Sequence, residues 1–295
     1  MTPAKAVLIT GCSSGIGQAT AKHLNARGWK VYATARRRES LAELADAGCE
    51  TLALDVTDEA SMRRAVEEVE AREGAVGVLV NNAGYSQSGA IETVSMDAVR
   101  AQFETNVFGL ARMCQLVLPG MRAQGAGKIV NLSSMGGRFT LPGGGYYHAS
   151  KYAVEAISDA LRFEVHGFGV RVIVIEPGLI RTQFGASAVG SMTPAAAAQG
   201  DADDPYDEFN AAVSSATVQA YEVGPMARLG GPPQAVARKI EKAISTDRPR
   251  TRYTVTPSAK VLLGLHALLP DRGWDAFVGS QFPSPGKARK GSPSA

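Results

Sequence analysis

Short apolar runs rich in Val and Ile recur along this sequence with amphipathic stretches between them. They are Val7–Thr10, Val31–Ala33, Thr51–Leu54, Val76–Val80, Lys128–Leu132 and Val170–Ile175, with a last candidate at Thr251–Thr256. Most of the intervals, about 20 to 40 residues, are what a strand, a crossover helix and the next strand require. Runs that are apolar at nearly every position are buried on both faces, which calls for a parallel sheet with helices on either side.

The helices between the runs have readable ends. Asp58-Glu59-Ala60-Ser61 opens an acidic first turn, Met62, Ala65, Val66 and Val69 follow at helical spacing, and Gly74 stops the segment. Similar reasoning gives helices over Gly15–Arg27, ended by Gly28, over Met96–Leu118, over Tyr147–Val165, ended by Gly167, and over Pro232–Thr246. Because such crossovers are right-handed, the simplest topology is an α/β fold with a doubly wound (Rossmann) parallel sheet of seven strands. With 295 residues, 45% of them apolar, residues 1–283 are expected to form a single domain. The rhythm breaks over 179–231, which is rich in Ala, Ser, Gly, Asp and Pro and has no strand signal. A structureless stretch of that length is expected to be a substrate-binding lid. The end of the chain, 284–295, is Pro, Gly, Ser and Lys, and is expected to be disordered.

Several function classes are excluded early. Lys plus Arg at 31 against Asp plus Glu at 28 leaves a charge of +3, too slight to imply nucleic acid, and only Gly286–Lys290 clusters basic residues. Three scattered cysteines, Cys12, Cys49 and Cys114, form neither a disulfide framework nor a metal set, which suits a cytoplasmic protein without a metal. Asp201, Asp203 and Asp204 crowd together without a partner His and read as solvated charge. The most apolar stretch, Val261–Leu269, is under half of the roughly 20 residues that cross a bilayer, so no transmembrane segment is expected. Peripheral attachment through it stays open.

Between the first strand and the first helix lies Thr10-Gly11-Cys12-Ser13-Ser14-Gly15-Ile16-Gly17. Glycines here let the backbone turn sharply and approach a pyrophosphate, and Gly17 permits close packing of helix on strand. The helix N-terminus then offers free N–H groups to phosphate. A purely structural turn needs glycines as well. The spacing, Gly-x-x-x-Gly-x-Gly, resembles the short-chain dehydrogenase/reductase family, and its hydroxysteroid and retinol dehydrogenase-like branch in texture. Further matches run to about residue 182: Asp55 in Leu54-Asp55-Val56-Thr57, Asn81-Asn82-Ala83-Gly84, Asn106, Ser134, Tyr147, Lys151 and Pro177-Gly178. The resemblance implies that Asp55 and Val56 contact adenine. It further implies that Ser13, Ser14, Ile16, Asn82, Ala83, Gly84, Ile180 and Thr182 join the glycines, Tyr147, Lys151, Pro177 and Gly178 in holding a nicotinamide dinucleotide.

The second strand runs into Ala33-Thr34-Ala35-Arg36-Arg37-Arg38. NAD-binding chains place a carboxylate at that end, about 20 residues past the glycines, to bond the ribose 2′-hydroxyl. Here Ala35 holds the slot and Arg36 follows, a guanidinium suited to a 2′-phosphate. NADP(H) is therefore expected ahead of NAD(H). Arg38 reads as a solvated surface residue.

Tyr147 and Lys151 are four apart in a helical segment and share a face. A free phenol ionises near pH 10, and a nearby ammonium together with a positive nicotinamide ring favours the phenolate, so Tyr147 is the expected general acid/base. Ser134 stands at a carboxyl end of the sheet, where open α/β folds bind ligands, and can donate to a substrate oxygen. Ser133 is its rival by adjacency; the family's spacing points to Ser134. By resemblance, the Asn106 side chain bends its helix and holds a water linking Lys151 to solvent. Tyr146 and His148 are expected to line or flank the pocket, and Cys12 to pack beside the cofactor.

The expected activity is NADP(H)-dependent interconversion of a hydrophobic secondary alcohol and ketone, such as a steroid, retinoid or lipid-like carbonyl. Met135, Phe139, Leu141, Phe184 and Met192 are the apolar candidates for the substrate pocket, unless they pack as core. A non-catalytic NADPH sensor or scaffold is the alternative. The resemblance further implies a homodimer or homotetramer formed through the helices around Met96–Leu118 and Tyr147–Val165.

Overall fold

All seven apolar runs become strands. In the computed structural model, which describes residues 5–192 and 205–285, they are β1 (Ala6–Ile9), β2 (Lys30–Ala35), β3 (Glu50–Ala53), β4 (Val78–Asn81), β5 (Gly127–Leu132), β6 (Val170–Pro177) and β7 (Arg252–Val255). They form one parallel sheet in the order β3-β2-β1-β4-β5-β6-β7. The order reverses beside β1, between β2 and β4, and so opens a crevice at the carboxyl ends of the strands.

Successive strand residues face opposite ways, and each face has its own core. Val7, Ile9, Val31, Val80, Val130 and Ile173 pack with Leu24 of α1 (Gly15–Ala26) and with Val236, Ile240 and Ile244 of a helix at Pro233–Ser245. On the other face Leu8, Tyr32, Leu79 and Ile129 meet three further helices. Met62, Val66 and Val69 come from α3 (Glu59–Glu73), Met113 and Val117 from α5 (Leu110–Ala123), and Val154 and Val165 from α6 (Gly145–Val165). The short helix α2 (Ala42–Asp46) lies between β2 and β3, and α4 (Met96–Phe103) follows β4.

The helix ends follow the sequence signals with two differences. Asp58 caps α3, its Oδ1 accepting from Ala60 N at 2.8 Å and Ser61 N at 3.1 Å, and Gly74 closes it at φ 83°. The single helix expected over Met96–Leu118 is instead α4 and α5 joined by a π-helical turn at Glu104–Gly109, which holds Asn106. Past α6 a 3-10 turn, His166–Phe168, carries the chain beyond Gly167 to Gly169, the residue at positive φ (77°).

The stretch 179–231 is not structureless. Helices α7 (Phe184–Gly190), α8 (Asp207–Val218) and α9 (Pro225–Arg228), with a π-helical turn at Gln219–Val223, fill its described parts. Ala-rich sequence without a regular apolar stripe hides these helices from a periodicity reading. The helix at Pro233–Ser245 is α10. The apolar stretch Val261–Leu269 lies largely within α11 (Pro257–Leu268), and α12 (Asp271–Gly279) follows. Leu262, Leu263 and Leu265 of α11 pack with Trp274, Phe139 and Met135, so that side is core, whereas Val261 and Leu268 are exposed. Among the described residues no helix is long and apolar enough to cross a membrane. Asp201, Asp203, Asp204, the basic run Gly286–Lys290 and all but the first two residues of the expected tail lie outside the described residues.

Replacing Asp58 by Ala removes an N-cap that takes two helix N–H groups. The expected loss is about 1 kcal/mol of stability, read as a lower denaturant midpoint at unchanged slope. An unchanged midpoint would show that the cap is not needed.

Candidate active site

The glycine turn is built by exclusion. A Cβ on Gly17 would stand 2.3 Å from the Gly11 carbonyl oxygen and 2.5 Å from Asn82 Nδ2, so only glycine lets α1 come so close to β1. Gly11 is at φ 72° and Gly15 at φ 58°, a region L side chains avoid. The turn is then pinned to the end of β4. Asn82 Nδ2 donates to the carbonyls of Thr10 and Gly11, both at 2.9 Å, and Thr10 Oγ1 accepts from the backbone N–H groups of Asn82 and Ala83, both at 3.0 Å. Ser14 spends no side-chain hydrogen bond on capping α1, so the first amides of that helix are left for a ligand.

One cavity of about 880 Å³ runs along the carboxyl edge of the sheet. Gly11, Ser13, Ser14, Gly15 and Ile16 line it from the turn, and Arg36, Asp55 and Val56 from the ends of β2 and β3. Asn82, Ala83 and Gly84 come from β4, Ser134 from β5, Tyr147 and Lys151 from α6, and Pro177, Gly178, Ile180 and Thr182 from β6 and beyond. Of the catalytic and cofactor-binding residues expected from sequence, Gly17 and Asn106 do not line it. Gly17 packs beneath the turn, and Asn106 works from behind.

Asn106 is fully buried. Its Nδ2 donates to Tyr85 O at 2.9 Å and to Ser150 Oγ at 3.0 Å, and its Oδ1 accepts from Tyr85 N at 3.0 Å. Both donors are thus committed to protein. The side chain clamps the chain after β4 against α6. Asn106 sits in the π-helical turn that separates α4 from α5.

Arg36 has no ion pair or hydrogen bond among the described residues, and its charge is felt by the phenol of Tyr85 across the cavity mouth. Arg38, by contrast, donates to Thr51 Oγ1 at 3.2 Å. Asp55 Oδ1 accepts from Thr57 N at 2.9 Å and Thr57 Oγ1 at 2.8 Å, which fixes the loop after β3.

Tyr147, Ser134 and Lys151 all line the cavity. Lys151 is only 6% exposed, its Nζ donates to Leu132 O at 2.8 Å, and it stands 5.8 Å from the centre of the Tyr147 ring. Burial lowers the Lys151 ammonium to about 8. Tyr147 is half-buried and lines the cavity, and desolvation pushes its phenol up to about 12 against the pull of the Ser134 hydroxyl. The acidified phenol expected from sequence is therefore not what the protein alone provides. Desolvation outweighs the Ser134 hydroxyl, and the Lys151 ammonium is turned toward Leu132.

Of the five apolar residues expected around a substrate, only Phe184 lines the cavity, its ring 5.4 Å from that of Tyr147. Met135, Phe139 and Leu141 are core beneath α11 and α12, and Met192 packs with Phe209 and Val213. His148 is buried, with Nδ1 2.9 Å from Gly136 O; Tyr146 donates to Ile91 O at 3.3 Å. Cys12 is buried in the core and donates to Ile9 O. Tyr221, Gln183 and Ser187 line the cavity without any sequence signal, since they belong to the irregular 179–231 segment. Burial raises the Tyr221 phenol, and the nearby Tyr147 adds to that shift.

The short chain dehydrogenase profile matches residues 5–191 of this sequence. The chain belongs to the short-chain dehydrogenase family. The dehydrogenase is 37% identical over 268 residues to a 3-ketodihydrosphingosine reductase of Bacteroides thetaiotaomicron, covering 90% of this chain and 93% of that protein. It is 36% identical over 277 residues to an NADPH-dependent 3-dehydrocapnine reductase of Ornithobacterium rhinotracheale, covering 91% and 94%. Its fold matches a short-chain dehydrogenase from Streptomyces avermitilis with a TM-score of 0.74 at 36% identity, covering 94% and 96%. The dehydrogenase is thus an oxidoreductase with the nucleotide-binding fold of its family.

A spectroscopic titration checks the buried phenol. The Tyr147→Phe difference is expected to show no ionisation below pH 11 in nucleotide-free protein, whereas a phenol that ionises at or below pH 10 would contradict its desolvation.

Proposed function

We propose that this chain is an NADP(H)-dependent reductase of hydrophobic, lipid-like ketones, working reversibly on the corresponding secondary alcohols. The observation that carries the reading is the convergence of Tyr147, Ser134 and Lys151 in the cavity that the glycine turn and Arg36 also line.

The residues fit the dinucleotide. The uncapped α1 amides suit a pyrophosphate, and Arg36, without a partner among the described residues, suits a 2′-phosphate. Asp55 and Val56 would border the adenine, and Ala83, Gly84, Pro177, Gly178, Ile180 and Thr182 the ribose and nicotinamide. When bound, the nicotinamide supplies or accepts the hydride.

Tyr147, neutral in the protein alone, gives its proton to the ketone oxygen during reduction and takes one from the alcohol in the reverse direction. Ser134 donates a hydrogen bond to the same oxygen, where negative charge grows in the transition state. Lys151 holds positive charge behind the phenol, easing its return to the protonated form. Phe184 and Tyr221 offer ring surface to an apolar substrate, and α7 to α9 over 179–231 act as the lid. The two relatives whose names place them on 3-keto amphiphiles support a ketone with a long chain. Phe108, Tyr152 and Phe163, exposed on the π-helical turn and α6, support assembly into a homo-oligomer.

Consumption of NADPH with a panel of 3-keto sphingoid and steroid ketones tests the activity. Tyr147→Phe is expected to lose at least about 100-fold in kcat. Tight NADPH binding with no turnover on any ketone would favour a sensor instead. Arg36→Ala should weaken NADPH binding by about 10- to 100-fold and leave NADH binding nearly unchanged, as removal of a charge-assisted contact requires. Equal losses for both nucleotides, read by fluorescence titration, would refute the cofactor preference.

A further inference from the structure

Beneath the cavity, α6 presents a second group of buried charges that the reaction does not use directly. Glu155 follows Lys151 by one helical turn and is 6% exposed, and its Oε2 accepts from Arg252 Nε at 2.9 Å. Arg252, at the start of β7, also donates from Nη2 to both oxygens of Asp159 at 2.7 Å and stands 3.5 Å from Glu176 Oε1. Glu176, on β6 and 2% exposed, accepts from Arg138 Nη1 at 3.1 Å and from Thr254 Oγ1 at 2.9 Å. Arg162 pairs with Asp159 from the next turn of α6.

Three carboxylates therefore meet three guanidinium groups, and the Lys151 ammonium is the remaining positive charge. Glu155 has capacity to spare for it. Its Oε1 is buried without a hydrogen-bond partner among the described residues, and so is Ser133 Oγ; the two groups lean toward each other without closing a full bond. The approach is possible because Gly137 has no side chain. A Cβ there would lie 2.6 Å from Ser133 Oγ, 3.0 Å from Lys151 O and 3.1 Å from Glu155 Cγ.

A buried ammonium with one carbonyl partner tends to give up its proton, because desolvation penalises the charged form. Tyr147 and Glu155 are the titratable groups that face Lys151, and Glu155 is the charge that raises its affinity for the proton. Arg252 in turn opposes the burial and the neighbouring Glu176, which push the Glu155 carboxyl toward its neutral form.

We propose that Glu155 is a positioning residue: gripped by Arg252, its carboxylate is the counter-charge that keeps the Lys151 ammonium protonated and directed at the end of β5. The inference rests on the reading of Lys151 as a working group of the reductase. Nothing is consumed or transferred; the carboxylate acts by its charge across one turn of helix.

Glu155→Gln keeps the shape and an oxygen acceptor for Arg252 while removing the charge. In the wild-type protein, ketone reduction should fall as pH rises through about 8, where Lys151 loses its proton. In Glu155→Gln that alkaline limb is expected about 1 pH unit lower, so the deficit grows with pH, as loss of a stabilising charge demands. Glu155→Asp should restore the limb at least in part. Arg252 keeps Asp159 and Glu176 as partners in Glu155→Gln, so no guanidinium is left bare. Glu155→Met, neutral and of similar length, should show the same displacement even if Glu155→Gln folds poorly.

Competitive acetylation of Lys151 by acetic anhydride across pH, read by peptide mass spectrometry on nucleotide-free protein, gives the Lys151 midpoint without any substrate. A midpoint that moves down in both neutral variants supports the counter-charge even where no ketone is turned over, a result that would sink only the reductase reading. An unchanged acetylation midpoint in both variants overturns the proposal.

Discussion

An ammonium held almost out of water, at the carboxyl edge of a sheet, is the constraint on which the rest of the site depends. Lys151 keeps one strong bond, to the carbonyl of Leu132 at the end of β5, and its helix must pack tightly on the sheet to bring it there. That packing is the ordinary apolar kind, with Val154 and Val165 of α6 set against Ile129 and Val172. The same helix carries Tyr147 one turn earlier and Glu155 one turn later. One rigid element therefore sets a phenol, an ammonium and a carboxylate in a row. A burial strong enough to lower the ammonium also raises the phenol, so the protein alone stores Tyr147 as an acid.

The opposite wall of the cavity has a comparable logic, carried out with backbone. Thr10 and Asn82 tie the glycine turn to the end of β4 through four hydrogen bonds, and Asn106 ties the chain just beyond it to α6 through three. The turn, the strand ends and the tyrosine helix thereby keep their spacing without a ligand. Buried amides used this way are satisfied on nearly every donor, which is the condition under which a polar network rigidifies a site. The charged layer below, Arg252 with Glu155, Asp159 and Glu176, joins β7 and β6 to the same helix.

Much of this was legible in the residues. Strands at the centre of a parallel sheet are apolar on both faces, so β1, β4, β5 and β6 stood out as dense apolar runs. Gly11, Gly15 and Gly17 occupy positions where positive φ or a missing Cβ is obligatory, and Tyr147 and Lys151 share a helix face by simple periodicity. Other features depend on contacts the linear order hides. Arg252 lies 97 residues from Glu155 and 93 from Asp159, so their pairing carries no local signal. Tyr221 reaches the cavity from a segment whose helices lack an apolar stripe, and Met135 and Phe139 look like pocket residues until α11 and α12 are seen to cover them. The double duty of Asn106 at a π-helical turn also follows from tertiary packing alone.

The central claim is that this cavity pairs a hydride taken from a nicotinamide dinucleotide with a proton from Tyr147. The most direct test follows the atoms. With NADPH deuterated at the transferable position of the nicotinamide and a 3-keto amphiphile in ordinary water, the account predicts an alcohol that carries one deuterium on its carbinol carbon. An alcohol formed without deuterium at that carbon would contradict it.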